Sequence, residues 1–212
     1  AISWHPRLTW RPAEFGNMLS NGMRLMLANL LTTLTNRMPD IVLGAISGPV
    51  AMAIYRVGAR GNEALNQLII LPMTSPSLSG FSRSSGNLAD GYVRATKFAA
   101  LVAYPVFFGA AAITEQFVSI VFGPNWQGSS YVMAALCLAA GPAALSYMMM
   151  PALVAQKQTH AILWINVAIV TTVAAACIVG IPFGPIGIAV ALAIRAHFWG
   201  VFALYLLCRL LG

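Results

Sequence analysis

The stretch Ile41–Met73, IVLGAISGPVAMAIYRVGARGNEALNQLIILPM, decides how the chain is organised. It is too long for one membrane helix of about 20 apolar residues, yet apolar enough to contain one. Two readings fit. In one, a helix runs from about Ile41 to Arg56. In the other, Gly44 to Pro49 is a turn and a helix runs from about Val50 to Met73. The second is preferred, because Gly44, Ser47, Gly48 and Pro49 are turn-forming residues. It also sets Arg56, Arg60, Glu63 and Gln67 at i, i+4, i+7 and i+11, one narrow helical stripe turned inward.

Outward from this stretch the chain stays apolar. Of its 212 residues 59% are apolar and 8% charged, against about 45–50% and about 25% in soluble domains. A water-soluble globule is excluded. Some 125 apolar residues, 59% of 212, are close to what six helices of about 20 apolar residues require. The expected fold class is therefore all-α integral membrane, a six-transmembrane-helix bundle with spans at about 13–35, 50–73, 91–114, 129–151, 161–181 and 186–211. Asn36 to Asp40, with Pro39, reads as a break. Thr74 to Asp90, rich in Ser, Gly and Pro, reads as an exposed connection, and Pro105 as a kink. Glu115 to Gly128 is an amphipathic interfacial bend carrying Trp126 at headgroup level. Ala155 to His160 and the Gly180, Pro182, Gly184, Pro185 turn separate the last spans.

Lys and Arg number 12 against five acids, a net charge of +7. They are scattered along the chain, which argues against a nucleic-acid partner. Orientation explains them better, since basic residues collect on the cytoplasmic side. With six spans and a cytoplasmic N-terminus, Arg7, Arg11, Arg83, Arg94, Lys97, Lys157 and Arg209 lie inside and Arg37 alone outside. A five-span arrangement with the opposite start is biased almost as strongly, so the apolar content of Ile41–Met73 favours six. The chain opens on Ala1 with no signal-peptide pattern and reads as an internal start.

Cys137, Cys177 and Cys208 stand alone in apolar stretches, so neither a disulfide nor a metal site is expected. His5, His160 and His197 lack helical partners, and Met148 to Met150 read as soft packing. No cofactor is expected, and no nucleophile has an identifiable base, which argues against an enzyme.

What remains is charge inside the spans: Arg24, Arg56, Arg60, Glu63 and Arg195. A buried ionised group costs from about 2.5 to more than 10 kcal/mol, so such residues face a cavity or a partner. Arg60 and Glu63 can pair at i, i+3, but one acid cannot neutralise four arginines. The surplus points to an anionic guest, because guanidinium groups match phosphate oxygens bidentately. Asn17 and Asn21 on the first span, and Asn66 and Gln67 on the second, could bind sugar hydroxyls. For each amide taken singly, an interhelical hydrogen bond is the plainer reading.

The order of several motifs resembles the second half of the oligosaccharide flippases in the multidrug, oligosaccharidyl-lipid and polysaccharide exporter superfamily. WHPRLTW (4–10) resembles the linker between that family's two bundles, and TNRMPD (35–40) the end of its seventh helix. LGAISGPVAMAIYRVG (43–58) resembles the two-glycine turn and tyrosine that open the eighth, with Tyr55 in the tyrosine position and Pro49 and Ala51 departing from the pattern. LPMTSPSLSGFSR (71–83), GYVRATKF (91–98) and VFGPNW (121–126) resemble the cytoplasmic exit, the basic start of the ninth helix and the bend after it. The resemblance implies about twelve helices in two bundles around a central cavity, this chain being helices seven to twelve and residues 1–12 a cytoplasmic linker from a missing first bundle.

It further implies that a polyprenyl-diphosphate-linked oligosaccharide is moved across the cell inner membrane for surface polysaccharide synthesis, exopolysaccharide or lipopolysaccharide. Arg24, Arg56 and Arg60 would hold the diphosphate, and Arg195 is a weaker candidate. Its partners would be that lipid-linked substrate, the missing bundle and membrane lipids, with both termini of this piece cytoplasmic. The alternatives are a cation-coupled multidrug exporter, which favours buried acids, and an integral-membrane glycan polymerase or acyltransferase.

Overall fold

The computed structural model describes residues 12–83, 88–147, 149–155 and 158–211. Apart from short turns these residues are helical, and no strand occurs among them. α1 spans Pro12–Ile46, α2 Pro49–Arg83, α3 Leu88–Ala112 and α4 Thr114–Val121. A 3-10 turn at Pro124–Trp126 leads into α5, Gly128–Tyr147, followed by the short α6, Met149–Ala155. α7, Thr159–Gly180, joins α8, Gly184–Leu211, through a 3-10 turn at Ile181–Phe183.

The turn at Ser47 and Gly48 decides between the two readings of Ile41–Met73: α2 begins at Pro49, and Gly48 takes the positive φ of +87° that reverses the chain. Two expected breaks are absent. α1 does not stop at Asn36–Asp40 but runs through Pro39 to Ile46, and α2 runs past Met73 to Arg83, replacing most of the connection expected over Thr74–Asp90. At Pro39 a proline inside the helix removes one hydrogen bond, whereas ending the helix would leave several backbone groups unpaired, so continuation wins there. The span expected over 129–151 coincides with α5 and the start of α6, which flank residue 148, itself outside the described residues. The linker assigned to residues 1–12 falls almost wholly outside the described residues.

Contacts give each helix its direction. On α1 and α2, Asp40 meets Arg56 and Gly44 faces Met52, positions placed symmetrically about Gly48, so the pair is an antiparallel hairpin. α7 lies parallel to α1, with Thr32 against Asn166 and Ala28 packed with Ile162. Gly180 meets Ile188 and Thr172 meets Arg195, which makes α8 antiparallel to α7. α5 runs with α2, from Gly58 against Ser129 to Ile70 beside Ala140 and Ala144. α3 runs against α5, with Tyr104 and Phe108 on Gly141. Thus α1, α3 and α7 point one way, and α2, α5 and α8 the other.

Close approach rests on small residues, as in helix packing within lipid. A Cβ at Gly58 would lie 2.8 Å from the Ser129 carbonyl oxygen, and one at Gly200 would lie 2.7 Å from that of Pro142. Prolines sit inside α1, α3 and α5 at Pro39, Pro105 and Pro142. Pro105 and Pro142 share one level across the α3–α5 interface, since the contacts of Gly141 bracket them.

The outside of the bundle is apolar. Leu101, Phe198 and Ile120 are 72%, 75% and 83% exposed, and Phe98, Trp164 and Val201 are exposed with them. A soluble domain does not leave a coat of this extent in water; a membrane protein presents it to lipid. Three stretches among the described residues are long and apolar enough to cross a membrane: Val93–Ala112, Gly128–Tyr147 and His160–Phe202, the last covering the α7–α8 hairpin.

Candidate functional site

α2 has two unlike faces. Tyr55, Gly58 and Gly61 are buried, largely against α5, where the two glycines leave no room for a side chain. Arg56, Arg60, Glu63 and Gln67 occupy the opposite face and are exposed. The expected stripe therefore exists, but it is turned away from α5 and exposed, with Arg56 bordering α1, and is not buried inward. At about 1.5 Å per residue it runs from about 10 to about 27 Å below the start of α2.

The strongest electrostatic feature of this face was read from the sequence as part of a break. Asp40, buried in the hairpin, holds its Oδ2 atom 3.2 Å from Arg56 Nε and 3.7 Å from Arg37 Nη1. The carboxylate is 10% exposed, the Arg56 and Arg37 side chains 46% and 60%. One acid thus serves two arginines, and Arg37 joins the α2 face from α1. The signal was present in the spacing, because Asp40 and Arg56 lie equally far from Gly48; treating Pro39 as a helix end hid it. The pairing expected between Arg60 and Glu63 does not form within 4.0 Å.

Other candidates are placed elsewhere. Asn66 is committed inside the bundle: its Nδ2 donates to Asn62 O at 2.9 Å, and its Oδ1 accepts from the Tyr147 hydroxyl at 3.0 Å. The side chains of Asn17 and Asn21 lie outside the described residues. On α1, Ala28 and Thr32 meet α7. Ala28 is buried there, and the Thr32 hydroxyl shares its proton between Asn166 Oδ1 at 3.0 Å and Ala28 O at 2.9 Å. Arg24 is partly buried and borders a shallow open depression of about 440 Å³ with Leu19, Ser20 and Met23.

Arg24 and the α2 stripe therefore do not converge. Extending the hairpin symmetry sets Arg60 beside residue 36, which leaves Arg24 about 18 Å further along the axis. Arg195 is separate again, between α7 and α8: its Nη1 donates to Thr172 Oγ1 at 3.1 Å, and its Nε is buried without a partner.

Residues 1–131, which contain the whole α1–α2 hairpin, match the family described as polysaccharide biosynthesis protein. The chain belongs to that family. Membership places it in polysaccharide synthesis or export. A relative within this functional area, the teichuronic acid biosynthesis protein TuaB of Bacillus subtilis (strain 168), is 23% identical over 139 residues, covering 64% of this chain and 29% of TuaB. The chain thus spans under a third of the length of the curated relative it matches. No solved structure matches it.

Proposed function

We propose that this chain is the second half of a transporter that carries a polyprenyl-diphosphate-linked oligosaccharide from the cytoplasmic to the outer leaflet of the cytoplasmic membrane, for surface polysaccharide synthesis. The α2 face carries the proposal. Arg56, Arg60 and Glu63 are exposed on a bundle otherwise coated with apolar side chains. Against acyl chains each such charge costs at least about 2.5 kcal/mol, so the face belongs against a wet cavity. The six long helices alternate in direction, as six spans with both ends of the piece on one side would. Arg94 and Lys97, exposed near the start of α3, fit that side as the cytoplasmic one.

In this reading the missing first bundle closes the cavity across α2, and the arginines grip the phosphates while Gln67 and neighbouring amides meet sugar. Transport proceeds by rocking one bundle against the other around the fixed site. The test is made in the full-length protein, with surface polysaccharide as readout and expression as control. Arg60→Ala reduces polymer by about tenfold or more, the scale of one lost charge-assisted phosphate contact. Normal polymer at normal expression refutes the site. Glu63, exposed and unpaired, is where a cation-coupled exporter would differ: Glu63→Gln abolishes transport only if that carboxylate carries the coupling ion.

A further inference from the structure

We infer that Asp40 is a positioning residue that presents Arg37 and Arg56 as a two-guanidinium seat for a diphosphate near the tip of the α1–α2 hairpin, an inference that rests on the reading of the α2 face above. Asp40 itself is 7% exposed and cannot reach a solvated ligand. It acts through the arginines. Its Oδ2 engages Arg56 at Nε, 3.2 Å away, which leaves the two-nitrogen Nη end of that guanidinium unpaired. A guanidinium has five N–H donors, and the terminal pair matches two oxygens of one phosphate.

Arg37 touches the same oxygen through Nη1 at 3.7 Å, so both heads are drawn to one point while their side chains stay 46% and 60% exposed. One negative charge against two positive ones leaves the group attractive to anions. Arg60, one turn along α2 at about 6 Å, extends the same face. Without Asp40, two long flexible side chains would repel each other and sample many rotamers; with it they are held on the side where a phosphate can dock.

The ligand class is a diphosphate oxyanion, supplied either by a prenyl lipid headgroup or as free pyrophosphate. The experiment uses the full-length protein in nanodiscs of neutral lipid and measures binding of farnesyl diphosphate, farnesyl monophosphate and inorganic pyrophosphate. Wild type is expected to prefer farnesyl diphosphate to the monophosphate. Tighter binding of farnesyl diphosphate than of pyrophosphate makes the lipid the source, and equal binding assigns recognition to the phosphates alone; both support the seat. Arg37→Ala, at a side chain that is 60% exposed, should weaken diphosphate binding about tenfold. Arg94→Ala, an exposed arginine on α3, should leave it unchanged.

Asp40→Asn should weaken diphosphate binding in the wild-type background and have no effect once Arg37 and Arg56 are both alanine. Three results overturn the inference: an Arg37→Ala variant that binds like wild type, an Asp40→Asn variant that binds as well or more tightly, or an Asp40→Asn loss that persists without the two arginines. If Arg60→Ala weakens binding while Arg37→Ala and Asp40→Asn do not, the reading of α2 stands and only the seat falls. If wild type binds neither diphosphate, both fall.

Discussion

Replacing Gly58 by alanine tests the packing that turns the charged face of α2 outward. The added Cβ would lie 2.8 Å from both the Ser129 carbonyl oxygen and the Val132 Cβ, where ordinary contact begins at 3.4 Å. One of these atoms is backbone and cannot swing aside, so α2 and α5 must part by about 0.6 Å locally. Overpacking of this kind costs about 1–3 kcal/mol. Alanine also favours a helix over glycine by about 1 kcal/mol, which masks part of that cost. Gly109 on α3 provides the reference, because a Cβ there meets nothing within 4 Å. The propensity gain is common to both substitutions, so their difference isolates the clash. Equilibrium unfolding of the full-length protein in mixed micelles should show Gly58→Ala less stable than Gly109→Ala by about 1–3 kcal/mol. Equal stabilities would mean that α2 and α5 do not meet at Gly58, and the outward orientation of Arg56 and Arg60 would lose its cause.

Two interhelical hydrogen bonds can be removed singly and together. Thr32→Val and Tyr147→Phe should each cost about 0.6 kcal/mol and no more than about 1.7 kcal/mol in the same assay. Their contacts lie at separate interfaces, so the double variant should show the added costs, and strong coupling would contradict the helix arrangement. Arg195→Met should leave stability unchanged or raise it, because the guanidinium makes one neutral hydrogen bond and buries its Nε unpaired. A loss of more than about 1 kcal/mol would reveal a partner for that charge. Arg60→Lys should recover only part of the polysaccharide lost in Arg60→Ala, since an ammonium offers a point charge in place of a planar fork; full recovery argues against bidentate phosphate binding.

Apolar content, turn residues and the period of Arg56, Arg60, Glu63 and Gln67 were enough to read helices, the hairpin at Gly48 and a charged face. Which way that face points was not legible from periodicity, which marks a stripe without saying what it meets. Gly58 and Gly61 on the other side held the answer, since only glycines permit α2 to lie against the Ser129 backbone and Met133. Spacing likewise did not show that Thr32 and Ala28 seat α1 on Asn166 and α7. Local rules failed at Pro39 and across Thr74–Arg83, where turn-forming residues are carried inside long helices. Asp40 became visible as a partner of Arg56 only once the helix was followed through that proline.

Pro105 and Pro142 withhold amide donors from the carbonyls of Leu101 and Leu138, one turn earlier in α3 and α5. At that height α8 contributes Gly200, whose missing side chain lets it rest on the Pro142 carbonyl. Two adjacent helices, α3 and α5, therefore each lack one main-chain hydrogen bond at a shared height, where α8 lies against α5 without a side chain. Bending at that height would break fewer main-chain hydrogen bonds than bending elsewhere along α3 and α5.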